Sequence, residues 1–207
     1  MGEVVVLEYA SLDGVVQAPG HAGEDRSGGF EHGGWTQPYF ADHRQYMTEA
    51  LSSCGAFLFG RRTYSIFAQY WPTVTDPADQ IAKVLNSRPK YVASRQLADP
   101  VWKPGSVLAG PLADSVRAVA AKTQGDLIVL GSGALVRQLH AAGVVDRWEI
   151  MLHPVVVGSG SQMFGPQQEP THLALTGCRC TEQGLVLLTY SATNQTGAVP
   201  EHAGSRP

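Results

Sequence analysis

The sequence predicts an α/β fold in which a mainly parallel central sheet is flanked by helices and ends in an antiparallel C-terminal hairpin. Three observations predict it. Short β-rich apolar runs alternate with segments of helical periodicity along most of the chain. The run Asp126–Leu130 is continuously apolar after its first residue, which is typical of a strand buried on both faces of a parallel sheet. The last two β-rich runs, Thr171–Cys180 and Leu185–Ala192, flank a short turn around Gly184.

The first part of the chain contains two strands, a long loop and a helix. Val4–Tyr9 is a β-rich run that ends at the turn Ser11–Gly14. Residues 15–37 are rich in glycine and polar side chains, and a loop of this length inside a domain is usually functional or mobile. We therefore treat it as a candidate lid. Tyr39–Ser53 has apolar side chains near helical spacing, and Ala56–Phe59 is the next apolar run.

The middle of the chain continues this alternation. The expected helices are Arg62–Tyr70, the weaker Ile81–Asn86, Pro111–Lys122 and Ala134–Ala142. The expected strands are Lys90–Ser94, Ser106–Ala109 and Arg147–Val157. Pro111 and Gly143 are start and stop signals for the third and fourth helices. We assign residues 1–193 to one domain and the small, polar residues 194–207 to a disordered tail.

Composition and charge restrict the class of function. A chain of 207 residues fits one domain, and 43% hydrophobic with 16% charged residues is typical of a globular protein with a core. The net charge of −3 argues against a general nucleic-acid binder. No apolar run approaches the length of a membrane span, and the N-terminus does not resemble a signal peptide. We expect a cytoplasmic protein with no nucleic-acid or membrane partner.

The cysteines and histidines do not predict a metal site. Cys54, Cys178 and Cys180 are odd in number and form no CxxC pair, so we expect each to be a buried free thiol. The seven histidines show none of the spacings that bind metals. His153, which precedes a proline within an expected strand, is interpreted as structural.

The segment Gly60–Thr63 follows a buried strand and begins a helix. Free backbone N–H groups and the helix dipole favour an anion there, and arginine can hold a phosphate through two N–H groups. Arginine opposes the dipole in a first turn, so two adjacent arginines favour a bound anion over the alternative of solvated side chains. We favour Arg61 over Arg62, since only one can easily face inward. Thr63 either donates to the same phosphate or caps the helix.

Two further strand ends carry groups that suit a nucleotide. Gly131, Ser132 and Gly133 follow a buried strand and open a helix, although the third glycine of the usual dinucleotide fingerprint is missing. A tight turn that needs small residues is the alternative. Ser94 and Arg95 end another strand, where they form either a surface loop or a second anion contact. A 2′-phosphate would require such a contact, which favours NADPH over NADH.

Two carboxylates, Asp13 and Asp42, are the candidate catalytic groups. Asp13 lies in the turn after the first strand, where an aspartate often only stabilises the turn. Asp42 opens the helix Tyr39–Ser53. Helix capping is one role for Asp42, and orienting a heterocyclic ring or assisting its protonation is the other.

In their order along the chain, these segments resemble the dihydrofolate reductase fold. More narrowly, they resemble a stand-alone member of the bacterial RibD C-terminal-domain family of riboflavin-biosynthesis reductases. The matching stretches are Ser11–Gly14, Phe59–Tyr64 with Tyr70–Pro72, Tyr91–Ser94, Val129–Leu135 and His153–Gly160. They cover roughly Val4 to Thr193. Because no deaminase domain precedes them in this sequence, we do not expect the bifunctional riboflavin enzyme.

The resemblance implies NADPH binding, a homodimer, and a set of site residues. The cofactor-binding residues would be Gly14, Gly60, Arg61, Thr63, Ser94, Arg95, Gly131, Ser132, Gly133, Ala134 and Leu135. The substrate-binding residues would be Leu12, Tyr39, Tyr64, Phe67 and Trp71. In dihydrofolate reductases the glycine pair matching Gly131 and Ser132 carries a cis peptide. Serine replaces the second glycine here, so a cis Gly131–Ser132 bond is a hypothesis.

These patterns together predict an NADPH-dependent reductase of a small heterocyclic substrate. It would resemble 5-amino-6-(5-phosphoribosylamino)uracil reductase and transfer a hydride to a conjugated imine or a ribosyl carbonyl. A dihydrofolate or pteridine reductase is one alternative, although the spacing from Asp42 to Gly60–Thr63 is not that of dihydrofolate reductases. A non-catalytic NADPH-binding protein on the same fold is the other.

Overall fold

The computed structural model of the protein describes residues 2–165 and 170–193, so the expected tail, residues 194–207, lies outside the described residues. The described strands are β1 (Val4–Ser11), β2 (Cys54–Gly60), β3 (Lys90–Ala93), β4 (Gly105–Val107), β5 (Asp126–Val129), β6 (Arg147–His153), β7 (Leu173–Cys180) and β8 (Val186–Ala192). The described α-helices are α1 (Phe40–Ala50), α2 (Arg61–Tyr70), α3 (Gln80–Ser87), α4 (Leu112–Lys122) and α5 (Gly133–Ala141).

The described strands form one sheet in the order β4-β3-β2-β5-β1-β6-β8-β7. The strands from β4 to β6 in this order are parallel neighbours. The hairpin strand β8 pairs antiparallel with both β6 and β7. The predicted fold class, a mainly parallel sheet with an antiparallel C-terminal hairpin, is confirmed. Because ligands bind beyond the carboxyl ends of strands in open α/β sheets, the ends of β1, β2, β3 and β5 are where a site is expected.

Helices cover both faces of the sheet. One face of β1 packs with α4 and α5 in an apolar cluster that includes Val6, Val116 and Val136. The other face packs with α1, α2 and α3 in a second cluster that includes Leu7 and Leu85. This burial on both faces explains why the sequences of the central strands are continuous apolar runs. No helix in residues 2–165 and 170–193 has the length and apolar character needed to cross a membrane.

The sixth strand is shorter than predicted. It ends at His153, whereas the sequence suggested an extension to Val157. Pro154 has no N–H to give to a ladder, and the chain then turns so that the Val155 N–H donates to His153 O at 2.8 Å. The Val155 carbonyl instead accepts the Leu12 N–H at 2.8 Å. The segment after β6 therefore lies against the turn after β1.

The glycine-rich loop, residues 15–37, is folded against the carboxyl ends of the strands. Its apolar residues Val15, Ala18 and Phe30 form a small cluster of their own. The Gln17 amide nitrogen donates to the Asp25 carbonyl at 3.2 Å and to the Ser27 carbonyl at 3.0 Å. The loop is thus held by internal hydrogen bonds and packing, while its predicted role as a lid remains a prediction.

The prediction of three buried thiols is wrong for two of them. Cys54 is buried at the start of β2, but Cys178 and Cys180 are free and exposed on β7. The reason is topological, because β7 is the last strand of the sheet and its outer residues have no covering layer.

Candidate functional site

Two helix N-termini meet at the carboxyl ends of β2 and β5. Helix α2 starts directly after Gly60 and helix α5 directly after Ser132, and neither N-terminus has a side-chain cap. The Gly60 N–H donates to the Gly131 carbonyl at 2.9 Å, which joins the two turns. The first-turn N–H groups of both helices and their positive dipole ends therefore lie side by side. Such a pair suits a ligand with two negative groups, such as a pyrophosphate.

The backbones of the two turns approach so closely that Gly60 and Gly131 have no room for, or cannot easily adopt the conformation of, a larger residue. A Cβ on Gly60 would stand 2.6 Å from Ser132 Oγ and 3.0 Å from Ser132 N. Gly131 has a φ of +63°, in the left-handed region that favours glycine. The peptide bond between Gly131 and Ser132 is cis, as hypothesised from the resemblance. No side chain on either glycine separates a ligand from the two helix starts.

The two adjacent arginines are in different environments. Arg62 pairs with Asp25 of the loop, with Nη1 2.6 Å from Oδ2, and donates to Ser27 Oγ at 2.9 Å. Arg61 is exposed and makes no ion pair or hydrogen bond through its side chain within the described part of the chain. Arg61 is therefore the arginine whose guanidinium is available to an anion at the start of α2.

The predicted second anion contact lies on the adjacent strand. Strand β3 pairs with β2 so that Ala93 is opposite Gly60, which brings Ser94 and Arg95 to the same edge as Arg61. Ser94 Oγ accepts the N–H groups of Gln96 and Leu97, which leaves its own proton free to donate. Among the described residues, the exposed Arg95 side chain has no acceptor.

The residues at the start of α5 differ in their access to a ligand. Ala134 is exposed, whereas a Cβ on Gly133 would contact Val16 of the loop at 2.8 Å. Leu135 is buried in the core, and its N–H donates to the Ser132 carbonyl at 2.8 Å. The geometry therefore gives no support to the prediction that Leu135 contacts the cofactor.

Asp13 holds the turn after β1. Its carboxylate accepts the Ser11 hydroxyl at 2.6 Å, the Val157 N–H at 3.0 Å and the Gly158 N–H at 2.7 Å. These bonds, the one from Ser11 foremost, lower the pKa of Asp13 to about 2. These contacts give Asp13 a structural role in the turn and do not support its predicted catalytic role, since an ionised carboxylate with three donors is a poor proton donor. The neighbouring Gly14 has a φ of +81° and open space at its Cβ position.

Asp42 is placed differently from Asp13. It lies in the first turn of α1, where its Oδ2 is buried and has no hydrogen-bond partner among the described residues. It does not cap the helix, because the α1 N-cap is Tyr39 and no side-chain cap bond is formed there. An unsatisfied buried carboxylate oxygen is costly unless a ligand or solvent pairs with it, which supports Asp42 as a site residue.

A buried pair of histidines lies next to Asp42. His43 Nε2 is 2.7 Å from His153 Nε2. His153 Nδ1 faces the carbonyl oxygens of Met151 at 2.9 Å and Ala10 at 3.2 Å, so we assign its proton to Nδ1. Its Nε2 must then accept from His43. Burial, and secondarily His153, lowers the pKa of His43 to about 4, and burial also lowers the pKa of His153, so both rings are neutral at pH 7.

Aromatic rings surround this pair. The Tyr9 ring stacks on His43 with centroids 4.9 Å apart, and Trp35 and Tyr39 contact His153 edge-on at 5.2 and 5.5 Å. The interpretation of His153 as structural is consistent with this packing. Tyr39 is thus held at the end of β6 and the start of α1, next to the helical turn that carries Asp42.

The remaining predicted substrate residues divide into two groups. Phe67 on α2 and Trp71 in the turn after it are half-buried, and their ring centroids are 6.1 Å apart. Leu12 is 63% exposed in the turn after β1. Tyr64 is buried in the core, where its hydroxyl accepts the Trp102 N–H at 2.7 Å. This placement gives no support to its predicted contact with the substrate.

Sequence reasoning missed two polar residues, the half-buried Glu8 and the buried His43. Glu8 is a single carboxylate in the otherwise apolar β1, and its Oε1 is buried with no hydrogen-bond partner in the described residues. A charged residue near the carboxyl end of a strand expected to be buried was the available signal. His43, Tyr46 and Met47 all face inward at helical spacing, so the periodicity of α1 could have predicted a buried histidine.

Comparison with known proteins identifies similar sequences and folds. The sequence profile of the RibD C-terminal domain matches residues 3–187. YyaP, an uncharacterized protein of Bacillus subtilis (strain 168), is 25% identical over 145 residues, which are 69% of this chain and 77% of YyaP.

Three solved structures share the fold at low sequence identity. A protein from Shewanella sp. PV-4 that is assigned to riboflavin biosynthesis has a TM-score of 0.64 at 16% identity, covering 94% of this chain and all of that one. A pyrimidine reductase-like protein from Corynebacterium diphtheriae has a TM-score of 0.53 at 15% identity, covering 93% and 92%. The deaminase/5-amino-6-(5-phosphoribosylamino)uracil reductase of Thermotoga maritima has a TM-score of 0.61 at 12% identity, covering 93% of this chain and 57% of that one.

Proposed function

The chain belongs to the RibD C-terminal domain family, and from this premise we propose that it is an NADPH-dependent reductase of a small heterocyclic substrate. Family membership supports an oxidoreductase, because the family takes its name from the riboflavin-biosynthesis reductase domain. Cofactor and substrate are the finer parts of the proposal, and they rest on the chemistry of the site.

One observation carries the cofactor assignment, namely the two uncapped helix N-termini that meet at Gly60 and Gly131. A dinucleotide pyrophosphate has the charge and size to bridge them. Arg61 adds a free guanidinium at the same junction. Arg95, on the adjacent strand end, supports a 2′-phosphate and hence NADPH rather than NADH.

The bound cofactor would supply the hydride, and the chain's own residues would orient the substrate and manage the proton. Asp42 Oδ2 would accept a hydrogen bond from a ring N–H or an exocyclic amine of the heterocycle. The half-buried rings of Tyr39, Phe67 and Trp71 would contact its planar face. Reduction of a C=N or C=O bond consumes one hydride and one proton, and the proton would come from water or through Asp42.

The substrate class in this proposal is a phosphoribosylamino-pyrimidine or a close analogue. The similar Thermotoga maritima protein is named for the reduction of 5-amino-6-(5-phosphoribosylamino)uracil. A dihydrofolate or pteridine reductase is the alternative within enzymes, and the unpaired Asp42 oxygen would suit a pterin ring as well as a pyrimidine. A non-catalytic NADPH-binding protein would use the same cofactor residues. We also propose that the protein is cytoplasmic and that it forms a homodimer. Sedimentation analysis can test the homodimer.

Ligand titration followed by a turnover screen tests the proposal. NADPH should quench or shift protein fluorescence with a Kd well below that of NADH. NADPH oxidation should then be stimulated by a pyrimidine or pteridine in a panel of heterocycles. Equal affinity for the two cofactors would contradict the assignment of Arg95 and Ser94. Tight NADPH binding with no turnover across pyrimidines, pteridines and quinones would favour the non-catalytic protein.

A further inference from the structure

Glu8 lies on the central strand β1, opposite the junction of the two helix starts. Strand β1 pairs with β5 through Val6 and Val129, and the same register continued by two residues brings Glu8 opposite Gly131. On its other side Glu8 pairs with Ile150 of β6. A carboxyl group therefore stands at the site where the fold has assembled donors for an anion.

The side chain of Glu8 is directed at this junction. A Cβ on Gly131 would be 3.3 Å from Glu8 Oε1 and 3.2 Å from Thr63 Oγ1, so both oxygens border the same small space. Glu8 Oε1 is closed off from solvent and has no hydrogen-bond partner among the described residues. An ionised carboxylate here would repel a phosphate, whereas a carboxylic acid would add an O–H donor to the N–H groups already present.

We propose that Glu8 is a cofactor-binding residue that acts as a neutral carboxylic acid and donates its proton in a hydrogen bond to a pyrophosphate oxygen of NADPH. The inference rests on the proposed function, because it needs a dinucleotide at the junction of α2 and α5. To that function it adds one cofactor-binding residue, Glu8, and the protonation state in which Glu8 binds the cofactor. Ionisation of Glu8 removes the donor and places a negative charge against the phosphates, so cofactor affinity would fall as pH rises.

The charged groups around Glu8 favour its neutral form. Burial, and secondarily the Glu24 carboxylate of the loop, raises the pKa of Glu8 to about 8. On β1 itself Tyr9 is neutral, since burial raises the pKa of its hydroxyl well above the ordinary value. From α2, Arg62 is paired with Asp25, and from α5, Arg137 donates to the Gln162 carbonyl at 2.5 Å. Arg61, at the start of α2, has no side-chain partner among the described residues and stays available to the ligand.

NADPH affinity should be measured at about pH 7.5 and pH 9.5 for the wild type and for Glu8→Gln. The cofactor phosphates keep a constant charge across this range, because their last ionisation lies near pH 6. If only the protonated Glu8 supports binding, wild-type affinity falls about 25-fold between these pH values. The Gln amide keeps an N–H donor and does not titrate, so the NADPH affinity of Glu8→Gln should change little between pH 7.5 and pH 9.5.

A second variant checks the origin of the pH dependence. Glu24→Gln keeps an acceptor for the Gly20 N–H, which Glu24 Oε2 binds at 2.6 Å, but removes a negative charge near Glu8. The pH at which affinity is half lost should therefore move downward. Circular dichroism at both pH values shows whether each protein is folded.

The possible failures of the two proposals give different results. Failure of the wild type to bind NADPH even at pH 7.5 overturns the proposed function. Binding at pH 7.5 with equal pH dependence in wild type and folded Glu8→Gln overturns only the role of Glu8. An unchanged midpoint in folded Glu24→Gln overturns the electrostatic account of that role.

Discussion

Arg61 and Arg62 are adjacent in sequence but differ in what their side chains contact. The Arg62 guanidinium is neutralised by Asp25, and its loss would loosen the loop 15–37. The Arg61 guanidinium has no partner in the described part of the chain and stands at an uncapped helix start. This difference in contacts between the two arginines depends on the path of the loop, which a local sequence pattern does not specify.

The first prediction concerns Arg61. Arg61→Ala should weaken NADPH binding by about tenfold or more, because a charge-assisted bond to phosphate contributes about 1.5–3 kcal/mol. Isothermal titration calorimetry with NADPH measures this. Arg62→Ala is the matched control and should weaken binding less, through the loop alone. A larger effect of Arg62→Ala than of Arg61→Ala would reverse the assignment.

The second prediction is an acid sensitivity of folding that arises from His43. Its folded pKa of about 4 lies below its ordinary value of 6.5, so between these values the unfolded chain binds a proton that the folded protein does not. Its contribution to stability is complete above pH 6.5 and is lost as pH falls towards 4. Urea midpoints at pH 7.5 and 5 measure the loss, which should be smaller in His43→Gln. Equal losses in the two proteins would exclude His43 as the source.

Among the elements, the strand-to-helix connections carry the candidate site, and their glycines determine how closely the backbones approach. Gly60 ends β2, Gly131 follows the neighbouring strand β5, and one backbone hydrogen bond joins the two residues. Their turns were predictable from sequence, since each follows an apolar run and opens a helix. Their adjacency depends on β5 inserting beside β2 in the sheet, which is a property of the topology.

The third prediction tests this close approach. Gly60→Ala would place its Cβ 2.6 Å from Ser132 Oγ and 3.0 Å from Ser132 N, so the two turns must separate. We expect a loss of about 1–3 kcal/mol in the free energy of unfolding and weaker NADPH binding. Gly23→Ala is the control, because its Cβ would meet only the His21 ring at 3.7 Å. Equal behaviour of the two variants in urea unfolding and NADPH titration would argue against a tight junction.

Element boundaries show where sequence patterns work and where they fail. The five helices and the central strands were predicted within two residues at nearly every end, because apolar periodicity and glycine or proline signals act locally. The end of β6 was missed, since residues 154–157 are compatible with a strand until tertiary contacts from Leu12 are considered. The exposure of Cys178 was missed for a similar reason, because strand order decides which strand is last.

For the whole molecule, the sheet buried on both faces is expected to unfold as one unit with the layers that cover it. Leu58 on β2 is fully buried in the cluster that packs with α4 and α5. Phe57, the preceding residue, is fully buried in the cluster on the other face. A cavity on either face should therefore lower the stability of the same cooperative transition.

The fourth prediction follows from this architecture. Leu58→Ala should lower the free energy of unfolding by about 2–5 kcal/mol, because it removes buried methyl groups and leaves a cavity. Cys178→Ser, on the exposed edge strand, should change it by less than about 0.5 kcal/mol. Urea unfolding followed by both circular dichroism and tryptophan fluorescence measures these values. Transitions that do not coincide between the probes would contradict a single cooperative unit.

The sequence by itself determined the fold class, the order of elements and the cofactor-type motifs, because each depends on local periodicity and on residues adjacent in the chain. The sequence also predicted Asp42 and Arg61 as site residues and, through family resemblance, the cis peptide bond after Gly131. Only the tertiary structure decided that Asp13 holds a turn and that Tyr64 is core.

Only the tertiary structure, likewise, brought Glu8 to face Gly131, and His43 to contact His153 across 110 residues. The physical reason is that burial, hydrogen-bond partners and shifted pKa values arise from strands and loops that are distant in sequence. A local pattern specifies the type of side chain presented, whereas the packing of the sheet, its helices and the loop 15–37 specifies what that side chain contacts.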